Sequence, residues 1–137
     1  MTDNAKTALA ALRDSDHPLG RPLALCLMFE PANDQLLAAS IFDLALALDS
    51  ALHIPSESLL AAIRVQWWVD ALSDSTVQTA PLVTQMHTQF QTYDGLQSDI
   101  IGLIGHWQTA CHDENRGNSH GWAAVWALVA KHMGQAA

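Results

Sequence analysis

The chain has 137 residues, half of them apolar, the size of one domain able to bury a core without disulfide or metal staples. Fourteen acidic residues against six basic ones give a net charge of −8 with His neutral. So little positive charge argues against nucleic acid and anionic membrane surfaces as partners, and a diphosphate pocket would need bound Mg²⁺ to supply the missing charge.

Helix propensity is high almost throughout. An acidic start and a basic end suit a first helix from Thr2 or Asp3 to Arg13, which Asp14-Ser15-Asp16-His17-Pro18 and then Gly20 break. Pro22 to Phe29 reads as a short buried helix. Pro31 is a natural first-turn residue for the next, about Ala32 to Leu52, which His53-Ile54-Pro55 ends. Ser56 as N-cap and Glu57 in the first turn open a helix that runs from Leu59 to Leu72. After a polar connector, Ser73 to Gln78, Pro81 starts a helix to about Gln91, and Tyr93-Asp94-Gly95 turns the chain. Leu96 to His112 is the sixth helix. Asp113 to Asn118 is a loop, and Ser119 caps a last helix to Met133 with Gly134 at its C-cap. No repeat, low-complexity stretch or linker divides the chain. Residues 1–137 are expected to form a single all-α bundle of six or seven helices.

Cys26 and Cys111 lie far apart in apolar helical contexts and read as two core thiols of a reducing compartment. No signal peptide is evident. The longest apolar runs, Pro22 to Phe29 and Trp122 to Ala130, are too short for a transmembrane segment. A cytoplasmic protein is the expectation.

The helix around Trp67 and Trp68 carries the most information. On a helical wheel Arg64 falls near Glu57, while Gln66, Asp70 and Ser73 cluster opposite, and the remainder is apolar. That pattern predicts an interior helix whose two indoles bury against different neighbours, each N–H finding an acceptor. Leu60, Ala61, Trp68 and Ala71 surround Arg64, so its guanidinium calls for a partner. Asp43 or Asp49, on the preceding helix, is the expected one. Such a pair reads as a structural ion pair fixing helix register.

The segment Ile63-Arg64-Val65-Gln66-Trp67-Trp68-Val69-Asp70-Ala71-Leu72 resembles the squalene/phytoene synthase family, the head-to-head prenyl transferases. Shorter, divergent members carry Ile-Arg-Leu-Gln-Trp-Trp-Arg-Asp-Ala-Leu after a Pro-rich turn. The match rests on Ile63, Arg64, Gln66, Trp67, Trp68 and Asp70, and Val65 and Val69 depart from it. Leu25 to Pro31, Ala38 to Asp49 with Phe42 at an aromatic position, Leu103 to Trp107 and Arg116-Gly117 extend it weakly.

The resemblance implies the N-terminal part of the isoprenoid synthase fold, in which two acidic motifs hold Mg²⁺ against the diphosphates of two prenyl substrates. Where the first motif would fall, this chain has Asp49 with His53 at i+4, one acid and one histidine in place of two acids. The arginine expected just upstream is replaced by Leu44 or Ala45, and Trp122 to Met133 contains no Asp or Glu. The expectation is a truncated, non-catalytic domain with a lipid- or prenyl-binding, partner-binding or assembly role and no cofactor. The alternative is half of a Mg²⁺-dependent prenyl diphosphate transferase, completed by a homodimer mate or a separate chain, with Asp49 and His53 as catalytic and metal candidates. A helical bundle of unrelated function is the third reading. A closed ion pair among Asp43, Asp49 and Arg64 fits the binding role, and an open cavity with a free carboxylate fits the enzyme.

Three other patterns have bland readings. Asp70 and Asp74 have a metal-like spacing but sit at a helix C-terminus, where the dipole disfavours acids. His106, Cys111, His112, Asp113, Glu114 and His120 are dense but lack ligand spacing, which suits a polar loop. Trp122 and Trp126 at i and i+4 form a core stripe or, at the end of a shortened bundle, an exposed patch.

Overall fold

The computed structural model describes residues 2–28, 30–53, 58–74, 80–112 and 119–133. Their sequence order of helices is α1 (Thr2–Arg13), α2 (Gly20–Leu27), α3 (Ala32–His53), α4 (Ser58–Ser73), α5 (Pro81–Thr92), α6 (Leu96–Ala110) and α7 (Ser119–His132). No strand occurs among the described residues, so the all-α helical bundle holds. The proposed caps and loop at Ser56, Glu57, Asp113 to Asn118 and Gly134 lie outside the described residues.

The apolar residues of α3 face every direction, and a helix of that kind belongs at the centre of a bundle. Leu37, Ile41, Phe42, Leu44, Leu48 and Leu52 are all buried, and α3 touches each of the other six helices. Its segment Asp34–His53 is long and apolar enough to cross a membrane by length and composition, but most of it is buried inside the bundle. Ser40, in the middle of the core, donates its hydroxyl to the Leu36 carbonyl at 2.7 Å.

The central position expected for the tryptophan helix is therefore taken by α3, and α4 lies at the bundle surface. Ala61, Val65, Ala71 and Leu72 make its buried face. Leu59, Leu60, Ile63 and Trp67 point outward, Trp67 being 43% exposed. A helix apolar on both flanks fits either place, and α3, longer and more uniformly apolar, fills the interior.

Side chains close the C-terminal end of α4. His87 Nε2 donates to the Ala71 carbonyl at 3.1 Å, Gln97 to that of Leu72 at 3.0 Å, and Ser73 to that of Val69 at 2.6 Å. The first two contacts satisfy carbonyls that the helix itself leaves orphaned, and the third adds a second donor to a carbonyl of the last turn but one. On the far side, Asp99 of α6 accepts from Lys131 and from buried His132 of α7, each at 2.9 Å. Two glycines are dictated by geometry: a Cβ on Gly20 would stand 2.4 Å from the Leu12 carbonyl oxygen, and Gly95 has φ 78° before α6. Of the two cysteines expected in the core, Cys111 is buried, whereas α2 turns Cys26 to the surface.

Candidate functional site

Asp49 and His53, one turn apart near the end of α3, meet a third residue from the turn after α1. His17 Nε2 lies 2.7 Å from Asp49 Oδ2, and His53 Nε2 lies 3.4 Å from Asp49 Oδ1. The Leu19 backbone N–H donates to His17 Nδ1 at 3.1 Å. That bond makes Nδ1 the acceptor, so Nε2 carries the hydrogen given to Asp49. Both ring nitrogens of His17 are thus engaged, as are both oxygens of Asp49. His17 and Asp49 are largely buried, His53 is half-exposed, and the His17 ring rests 6.4 Å from that of Trp122. The arrangement braces the α1–α2 turn against α3 and leaves His17 no lone pair for proton abstraction. Among the described residues, no group of three or more His, Cys, Asp or Glu is arranged to hold a metal.

The expected ion pair of Arg64 with Asp43 or Asp49 is not formed. Arg64 is exposed, and no salt bridge links it to either acid. The cause is the orientation of α4, which turns the flank bearing Leu60, Ile63 and Trp67 to solvent and leaves the guanidinium hydrated. On the α3 side, Arg64, Trp67 and Trp68 border a groove of about 370 Å³ floored by Ala47, Ser50 and Ala51. The two indoles meet edge to face with centroids 4.9 Å apart. The polar residues of the same helix tie it to α6: Gln108 donates to Gln66 at 2.8 Å and Gln66 to Asp70 at 3.0 Å.

Asp43 occupies a second groove, of about 440 Å³, between α1, α3 and α5. Burial pushes its carboxyl up to about 7. Ser15, Ser50 and Gln85 line the same groove, and Ala47 and Ser50 border both grooves. The sequence pattern singled out Asp43 as half of an ion pair, whereas here it is the single ionisable group of a concave surface.

The other patterns resolve separately. Asp70 serves Gln66. Cys111 is buried, while His106, His112 and His120 are exposed, and Asp113 and Glu114 lie outside the described residues. Trp122 is half-buried and packs edge to face against Trp107, but Trp126 is 52% exposed and leans its ring on Phe42 at 5.0 Å. His17 had no signal in the sequence: 32 residues separate it from Asp49, and a histidine in a polar turn is ordinarily solvated. Comparison of the chain with protein-family models, with curated proteins and with solved structures finds no match in any of the three.

Proposed function

We propose that this chain is a non-catalytic, cytoplasmic binding domain of squalene/phytoene synthase-like descent, and that the outward face of α4 takes an apolar ligand of prenyl or lipid type or the apolar face of a partner. The observation that carries this reading is the row Leu59, Leu60, Ile63 and Trp67, exposed on one flank with Arg64 among them. Contiguous apolar surface of this kind marks interaction sites, and Trp and Arg are the side chains most enriched at their energetic centres. The bracing of Asp49 by His17 and His53 supports a non-catalytic role, since the acid nearest the implied metal motif is already engaged.

One observation favours the transferase alternative: Asp43 is a carboxylate in an open groove. A single carboxylate offers Mg²⁺ one protein ligand, and diphosphate sites of this chemistry rest on several. The two readings separate in one titration series. Farnesyl diphosphate is expected to show no Mg²⁺-dependent binding, while farnesol shifts tryptophan fluorescence towards the blue saturably and Ile63→Lys removes that response. Turnover of farnesyl or geranylgeranyl diphosphate by the isolated protein overturns the non-catalytic reading.

A further inference from the structure

The groove around Asp43 makes a separate demand. Its walls are mostly apolar, formed by Ala8 and Ala11 of α1, Leu46 of α3 and Leu82 of α5, among others. Its volume of about 440 Å³ lies within the range that encloses small organic ligands. No second ionisable side chain lines it, and no ion pair engages Asp43 among the described residues. Burial is what raises its carboxyl, and among the described side chains no charged group of α1, α3 or α5 lines the groove beside it.

We infer that this groove binds an organic monocation, an ammonium group carried on an apolar body, with Asp43 as its counter-ion. The chemistry follows from what the groove holds. A carboxylate in apolar surroundings gains most from a charge-assisted hydrogen bond, because there is little water to compete. An alkylammonium has three N–H donors, and the side chains of Ser15, Ser50 and Gln85 on the same surface offer oxygens for those the carboxylate does not take. A bare metal ion would find one carboxylate and no cage. A neutral alcohol would leave the charge uncompensated. The net charge of −8 further favours cations near the surface.

Arg64 adds a selectivity. It borders the neighbouring groove, which shares Ala47 and Ser50 with this one. A second positive charge reaching past Ser50 meets the guanidinium, so a monoamine is preferred over an α,ω-diamine of equal length.

The test uses the full chain and n-octylammonium, with octanol and 1,8-diaminooctane as comparison probes, by titration calorimetry at pH 8. Octylammonium is expected to bind at one site at least tenfold more tightly than octanol and more tightly than the diamine. Asp43→Asn should weaken it tenfold or more while leaving octanol unchanged. The wild-type affinity should also rise as pH is raised from 6 to 8, a range in which the amine stays protonated. Equal affinity for octanol and octylammonium, or an octylammonium titration that Asp43→Asn leaves unchanged, overturns the assignment. Should Asp43→Asn not fold, the wild-type pH series decides, and an affinity flat between pH 6 and 8 overturns it.

Discussion

Asp43 and Asp99 give this molecule two carboxylates whose protons pull stability in opposite directions. The folded state holds the Asp43 proton up to about pH 7, whereas the unfolded chain releases it near the ordinary carboxylate value of 3.8. Between those values the unfolded chain binds fewer protons, so this group lowers stability as pH rises from about 4 to 7, by about 1.4 kcal/mol per unit at most. Asp43→Asn is expected to flatten that slope and to raise the midpoint of urea unfolding at pH 8. Asp99 has the other sign. Hydrogen bonds from Lys131 and then His132 hold its carboxyl below the usual range. Its contribution is present above the ordinary carboxylate value and is lost as pH falls through the lowered one. Asp99→Asn should therefore cost more stability at pH 6 than at pH 3, as read from thermal unfolding at the two pH values.

Residue identity alone made Asp43 and Asp49 equivalent. Both are acids in apolar stretches of one helix, and Arg64 sits in apolar surroundings on the next. What separated them was a contact across 32 residues, from His17, and an orientation of α4 that a helical wheel does not contain. The wheel shows which residues share a face. It does not show which of two apolar faces will be turned inward.

Helices are where the sequence was most legible. Pro31 and Pro81 at helix starts, the break around Pro18 and Gly20 and the Gly95 turn place all seven helices within a few residues of where they lie. α2 begins at Gly20, two residues before the expected start at Pro22. The failure concerned α4, whose two flanks are nearly equal in hydrophobicity, so pattern could not choose between centre and surface. Its faces should separate cleanly under mutation. Leu72→Ala, at a wholly buried position, is expected to cost about 2–5 kcal/mol in denaturant unfolding. Ile63→Lys, on the outward flank, should stay within about 0.5 kcal/mol of the parent while reducing the binding of a hydrophobic dye. Gly95→Ala tests a turn. Nothing lies within 4 Å of the added methyl, so its cost, about 1–2 kcal/mol, should come from the left-handed backbone alone.

At the scale of the whole molecule, α3 joins everything: six helices lean on it and one continuous apolar cluster includes residues from all seven. No helix pair has a core of its own, which predicts a single cooperative transition. Far-UV circular dichroism and near-UV signals from the tryptophans should trace the same unfolding curve, and separated midpoints would contradict this. The charge imbalance that argued against nucleic acid has a more local expression as well. Of the six bases, Arg13 and Lys131 are committed to nearby acids, while Arg64 is exposed beside an apolar row.

The five tryptophans, finally, make the protein its own optical reporter. Trp107 is fully buried and its indole N–H reaches no acceptor among the described residues. An indole without a hydrogen-bonding neighbour emits towards the blue and is sheltered from dissolved quenchers. Trp67 and Trp126, open to solvent on α4 and α7, emit further to the red and are within reach of acrylamide. Quenching should therefore strip the red side of the emission band first. A molecule settling over α4 will shelter Trp67 from acrylamide and move its emission towards the blue, while the component from Trp107 reads the integrity of the interior in the same spectrum.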